Sequence, residues 1–395
     1  TVQQPFNQNE PAAVAGDVRT ALGGVLDACG GDAFLAAGSL LETGHALPAA
    51  TRGALAAALV DAGAAEPRGL AVLFLLDADS AVRRAVAQAL ARAAAALTPI
   101  DIRRLIAMRN WRPENERGEV DAIIRSARAA GTDCAQWGAG SVEEILASAI
   151  DGSAAQGFLI ISPAGRKKRL SSILTKGGIA DAWCGEPESR RQIEASLAVA
   201  GTDAPMLSVS RTFLDRTVAH HLVLSTEKGE APPFGLLQVA ETIGGADWRP
   251  ARTDFADMLA ELMAEVPKAM CEPAAVASLL RDSGKLAGLA VIAQSWFEDD
   301  PQAAAAAKQA RGRARAQVVT YLLQSVIARR RDTWAEIFLR TAAWMREAPR
   351  DAALSWRQLA IVAKAVADGR DLTEIGLMRD IALRTIAVLR NIDRM

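Results

Sequence analysis

Aromatic side chains are scarce in this chain and unevenly chosen. They make up 5% of 395 residues, with eight Trp set against a single Tyr, Tyr321. Trp in an alanine-rich sequence reads as filler for the gaps that small-residue packing leaves. Histidine is rarer still, at His45, His220 and His221. There is no H-E-x-x-H, and two adjacent helical residues point about 100° apart, which excludes a simple two-His metal site at His220-His221. One of that pair is expected inside and one at the surface, while His45 reads as a residue at a helix C-terminus. The four cysteines, Cys29, Cys134, Cys184 and Cys271, lie far apart with no C-x-x-C pair. That spacing excludes a tetrahedral zinc framework and reads as reduced, buried thiols of a cytoplasmic protein.

Long apolar runs are missing too, which excludes a bilayer-spanning helix, and the polar leader Thr1 to Pro11 has no basic-then-apolar signal. Charge of one sign is not in excess. Forty-five basic and 46 acidic residues leave a formal charge of −1, so a protein that coats nucleic acid by bulk attraction is excluded and any such partner must meet a local patch. The excess of arginine over lysine, together with the alanine bias, suits a GC-rich bacterial genome. Catalytic and phosphate-binding signatures fail in turn. There is no G-x-S-x-G elbow and no Walker sequence, and Gly138-Ala139-Gly140-Ser141-Val142-Glu143 lacks the last glycine of a dinucleotide loop. No catalytic residue, cofactor or metal site is therefore expected.

Helical patterning fills most of the chain. Apolar periodicity with Gly and Pro punctuation predicts helices over about 12–28, 31–42, 48–63, 67–76, 79–96, 99–109 and 113–130. Within them, Leu70 to Leu76 is an apolar run. Asp77 or Asp79 can cap the next helix, where Val82, Val86, Ala89 and Leu90 recur at the three-and-four spacing of one buried stripe. A helix, a short acidic turn, "VRR" and an Ala-rich second helix together resemble a repeat of the HEAT type, over about 67–96. That resemblance implies antiparallel helix pairs stacked into an α-α superhelix.

The pattern changes near 157–184. Gly157-Phe158-Leu159-Ile160-Ile161-Ser162 and Leu170 to Thr175 read as strands around the turn Pro163-Ala164-Gly165, which predicts a β-hairpin or small meander standing apart from the helices. Its turn carries Arg166, Lys167, Lys168 and Arg169, the densest basic run in the chain and the candidate phosphate- or partner-binding residues. Ser141-Val142-Glu143-Glu144 looks like a capped helix start.

Helices resume over about 187–200, 210–226, 233–243, 251–266 and 273–281. Asp299-Asp300-Pro301 opens one that runs on to Arg331, and three more follow to the C-terminus. The expected organisation is a polar leader (1–11), an N-terminal array (12–131), a helix with the β insertion (141–184), a second array (187–298) and a C-terminal bundle or closing repeats (299–395). Asn110-Trp111-Arg112-Pro113 and Asp247-Trp248-Arg249-Pro250 are near copies, each with Pro placed for a helix start. Two further basic runs, Arg311 to Arg315 and Arg329 to Arg331, fit solvated surface or helix-end positions.

The fold class expected is mainly α, and the function a non-enzymatic scaffold that binds another macromolecule, a protein ahead of a nucleic acid. A rival is an enzyme similar to the HEAT-like DNA glycosylases, for which the resemblance implies Trp111, Trp248 and Asp247 as site residues. A third is nucleic-acid binding without catalysis, led by Arg166 to Arg169.

Overall fold

The computed structural model describes residues 24–44, 47–138, 140–203, 205–244, 248–289, 295–310, 314–348 and 356–392. The expected leader, His45, Asp247, Arg311 and Arg313 lie outside them. The chain is mainly helical with a small antiparallel sheet, and it divides into two compact units. The first comprises the chain up to Ser141 together with Gly178–Gly185 and Val218–Ala251, and the second comprises Val142–Gly177, Glu186–Thr217 and the chain from Arg252 onward. Neither unit is one consecutive stretch.

The first unit contains α1 (Ala33–Gly44), α2 (Ala49–Asp61), α3 (Ala65–Leu73), α4 (Ser80–Arg92), α5 (Pro99–Arg109) and α6 (Glu114–Ala129). Each boundary has a local cause. Asp79 caps α4 by accepting from the Ala81 amide at 2.8 Å. Asp77 instead holds the preceding turn through the Asp79 amide and takes a forked pair of bonds from Arg52, 2.9 and 3.0 Å long. Thr98 and Asp101 form a capping box at α5, with Pro99 at the first helical position, where its missing N–H costs nothing. Val82, Val86, Ala89 and Leu90 are all buried, as is Leu70 through Leu76. Packing links alternate helices as well as neighbours: α1 with α3, α2 with α4, α3 with α5, and α4 with α6.

The same unit holds β4 (Ile179–Cys184) and α9 (Gly235–Thr242). Their approach is close enough that a Cβ on Gly235 would overlap the Ala182 carbonyl oxygen at 1.7 Å, so only glycine fits at that contact.

The second unit is built on strands β1 (Glu144–Ser148), β2 (Ala155–Ala164), β3 (Lys167–Lys176) and β5 (Met206–Ser208), in the order β3-β2-β1-β5. All the pairings are antiparallel, with Phe158 opposite Ile173 and Ile161 opposite Leu170. Ser141 to Glu144 therefore leads into a strand, not a helix. Ile145 and Ala147 alternate inward from it, and its partner β5 is too distant in sequence for local patterning to reveal. The hairpin does not stand apart either. Ile161 and Leu170 pack with Ile193 of α7 (Arg190–Asp203), and the Phe158 ring lies 6.3 Å from that of Phe213 on α8 (Arg211–Glu227). Strand alternation puts these contacts on opposite faces, so the hairpin is part of the unit's core.

The rest of this unit is α10 (Phe255–Ala264), α11 (Pro273–Asp282), α12 (Pro301–Gln309), α13 (Ala314–Tyr321), α14 (Arg331–Arg346), α15 (Trp356–Ala367) and α16 (Gly376–Ile392). The long helix expected from 299 to 331 is interrupted, with a π turn over Leu322–Val326 and a 3₁₀ turn over Ile327–Arg330. Leu322, Leu323, Val326 and Ile327 are all buried, and a wider turn keeps this broad apolar set inside where an unbroken helix would rotate part of it outward. Trp296, Trp334 and Phe338 cluster with ring centroids 5.1 to 6.0 Å apart. The Trp344 indole of α14 donates to the Ala147 carbonyl of β1 at 2.9 Å, fastening that helix to the sheet, and the Trp296 indole donates to the Ile150 carbonyl just beyond β1 at 2.8 Å. Six of the eight Trp side chains are buried, in keeping with their expected role as filler.

Candidate interaction surfaces

The basic run sits at the tip of the β2–β3 hairpin. Ala164 pairs with Lys167, leaving the two-residue loop Gly165-Arg166. Gly165 takes φ +64°, and glycine at the first central position is what a two-residue hairpin turn of this kind requires. Arg166 and Lys167 are exposed, and Lys168 and Arg169 half-buried. Because strand side chains alternate, Lys167 and Arg169 share one face while Lys168 occupies the other. Lys168 is also engaged. Its Nζ pairs with the Glu143 carboxylate, and its backbone exchanges hydrogen bonds with Glu188 at 2.9 and 2.8 Å. The tip therefore presents charge of both signs.

The basic run Arg329 to Arg331 is drawn into the structure. Arg331 does not end a helix but begins α14, and its Nη1 donates to the Val366 and Arg370 carbonyls, both at 2.9 Å. Arg330 pairs with the buried Glu298, which also accepts from the Trp334 indole. Arg329 reaches Asp300 at 3.4 Å. On the same unit, Glu261 takes both Arg216 and Arg346, at 2.9 and 2.7 Å.

In the first unit the structure brings the two W-R-P segments together. The Trp111 indole donates to the Trp248 carbonyl at 2.5 Å, and both side chains are buried, so neither lines an accessible groove. The segments serve different local ends. Pro113 immediately precedes α6, whereas Pro250 stands in extended chain ahead of Asp254, which caps α10.

Sequence reasoning missed the buried charge network beside them. Arg83, from the "VRR" of α4, forks onto Glu116 at 2.6 and 2.8 Å and donates to the Asp77 and Ala78 carbonyls. Arg112 donates to the same carboxylate at 2.7 Å and to the Leu75 carbonyl. Burial pushes the Arg112 guanidinium below its ordinary value. Burial pushes Glu116 up, but the Arg83 hydrogen bond and the charges of Arg112 and Arg83 outweigh it and hold the carboxyl below 4.5. The only local signal was the position of Arg83 in the stripe and the i,i+4 spacing of Arg112 and Glu116.

Two further expectations are corrected. His220 and His221 are both buried, with rings edge-on at 5.3 Å, because this stretch of α8 also buries Val218, Leu222 and Ser225 and so has more than one inward face. The thiols are not buried: Cys29, Cys134 and Cys184 are half-buried and Cys271 is exposed. Among the described residues, no helix is long and apolar enough to cross a membrane. Trp183 on β4 is 41% exposed and Val199 on α7 67%.

Comparison with known proteins places these elements in context. The family model for the Y4lR second domain matches residues 48–131, which hold α2 to α6, and that for the Y4lR C-terminal helical domain matches residues 256–390, nearly all of α10 to α16. A curated relative, the uncharacterized protein y4lR of Sinorhizobium fredii (strain NBRC 101917 / NGR234), is 26% identical over 285 residues, or 71% of this chain. The alignment covers 54% of that relative, so the chain spans about half the length of the protein it matches. No solved structure matches. The chain is thus similar to Y4lR-type proteins in two helical regions, on either side of a segment that includes the sheet.

Proposed function

We propose that this protein is a non-enzymatic helical scaffold of the cytoplasm that binds another protein. The observation that carries this reading is the charge arrangement at the hairpin tip. Lys168, in the middle of the densest basic run, is paired with the Glu143 carboxylate, so exposed Arg166 and Lys167 stand next to a cation that is already compensated. A polyanion is best met by uncompensated positive charge, whereas interspersed signs suit a protein surface of complementary pattern. The packing of α1 to α6, in which alternate helices stack on one another, supports the HEAT-like arrangement as the architecture of the first unit.

The test is site-specific photo-crosslinking in cells, with benzoylphenylalanine in place of Arg166. A protein adduct that disappears when the same probe is placed at the buried Ile173 is the expected outcome. An adduct digested by nuclease overturns the reading in favour of nucleic-acid binding.

A further inference from the structure

The second unit contains two neighbouring recesses of unlike character, and neither belongs to the hairpin tip. One, of about 410 Å³, is lined by Met263 of α10, Val276 and Leu280 of α11, and Ile361 and Ala365 of α15, with Cys271 among its lining residues. Of its charged lining residues, Lys364 pairs with Asp368 at 2.6 Å and Arg370 pairs with Glu374. The other, of about 510 Å³, is lined by Arg281, Arg370 and Arg379, with Glu374 as its only acidic lining residue. Leu280 and Arg370 line both recesses. Each volume falls within the roughly 300–1,000 Å³ typical of small-molecule sites.

Charge decides what such a pair of recesses can hold. Glu374 neutralises Arg370 at 2.6 Å. Arg281 and Arg379 are exposed; Arg379 attracts the adjacent Asp380 carboxyl. The polar recess therefore presents two exposed guanidinium groups, Arg281 and Arg379, the latter with Asp380 as a charged neighbour, next to a largely apolar recess. Arg is suited to forked recognition of carboxylate or phosphate, while an alkyl chain gains by leaving water along Met263, Val276, Leu280 and Ile361.

We propose that these joined recesses bind an anionic amphiphile: a single alkyl chain lies in the apolar recess, and its phosphate or carboxylate head meets Arg281 and Arg379. This site lies outside the scaffold reading and does not depend on it.

Cys271 supplies a local reporter, because a chain in the apolar recess shields its thiol. The full-length protein is titrated with dodecyl phosphate below its micellar concentration, and iodoacetamide modification is followed thiol by thiol using peptide mass spectrometry. Modification of Cys271 is expected to slow severalfold, with Cys29, Cys134 and Cys184 unchanged as internal references. Dodecyltrimethylammonium and inorganic phosphate alone should give no protection. Dodecanoate in a parallel series separates a carboxylate head from a phosphate head. Arg281→Gln combined with Arg379→Gln should raise the half-protecting concentration about tenfold or more, as expected for lost charge-assisted hydrogen bonds. Ala365→Phe, which fills the apolar recess, should abolish protection with the circular dichroism spectrum unchanged. Absence of protection by both anionic amphiphiles, equal protection by the cationic one, or indifference to the double Arg variant would overturn the proposal.

Discussion

Trp111 and Trp248 meet through a hydrogen bond from the indole of the first to the main-chain carbonyl of the second, 2.5 Å long and buried. The contact joins two chain segments 137 residues apart and fills the interior of the first unit at the same time. Trp111→Ala removes a large buried side chain and its hydrogen bond to the Trp248 carbonyl. The expected cost is about 3–5 kcal/mol for the cavity. Trp111→Phe keeps most of the packing and should cost mainly the lost hydrogen bond, about 0.5–1.5 kcal/mol. Urea unfolding of both variants checks the order: a Trp111→Phe variant as stable as the native protein would show that the hydrogen bond contributes nothing, and equal losses would show that the ring's packing adds nothing beyond it.

Glu116 balances two buried guanidinium groups, Arg83 and Arg112. Replacing it with Leu leaves both cations without their carboxylate, so Glu116→Leu should destabilise by about 3–5 kcal/mol. Replacing Arg83, Arg112 and Glu116 together with apolar residues of similar size should recover much of that loss, since paired buried charges are often no better than well-packed apolar groups. Denaturation midpoints of the single and triple variants distinguish a charge effect from a packing effect.

The boundaries of α2 to α6 could be read from the sequence because their causes are local. Asp79, Thr98-Pro99 and the spacing of Val82, Val86 and Leu90 act within a few residues. Strands β1 and β5 could not. A five-residue and a three-residue strand carry too little alternation, and the pairing of Leu146 with Ser208 is fixed by tertiary packing. The hairpin was legible through Phe158 to Ser162 and the turn at Gly165, but its burial was not, because the covering residues Ile193 and Phe213 come from helices whose own patterns look ordinary. For the interaction surface, the run Arg166 to Arg169 was visible as charge. Its partial neutralisation was hidden, since Glu143 lies on another strand's approach.

Acid should weaken the first unit through Glu241 as well as Glu116. Burial pushes Glu241 up, but hydrogen bonds and charge from Arg104 and Arg103 hold it below its ordinary 4.5. A carboxyl depressed in the folded state contributes stability above its unfolded pKa and loses it as pH falls through the folded value. Stability of the native chain should therefore fall as pH drops below about 4.5. In Glu241→Gln that contribution is missing at neutral pH, so the gap between variant and native protein should narrow in acid. A gap that stays constant from pH 7 to about pH 3 would mean that the Arg103–Glu241–Arg104 contact adds no charge-dependent stability.

At the hairpin tip, the link between Lys168 and Glu143 governs how much positive charge is available to a polyanion. Any weak binding of single-stranded DNA should fall with salt, with a slope of roughly 0.7 per phosphate contact made. Arg166→Gln removes an exposed cation and should reduce the slope by about that amount. Lys168→Gln should change it less, because that ammonium already faces a carboxylate. Glu143→Gln works in the opposite direction: it releases Lys168, adds one available cation and should steepen the slope by roughly 0.7. The measurement is the midpoint of fluorescence anisotropy titrations across a salt series for the native protein and the three variants. If Arg166→Gln and Lys168→Gln lower the slope equally while Glu143→Gln leaves it unchanged, the Lys168–Glu143 pair does not hold in solution and the tip is a uniformly basic surface.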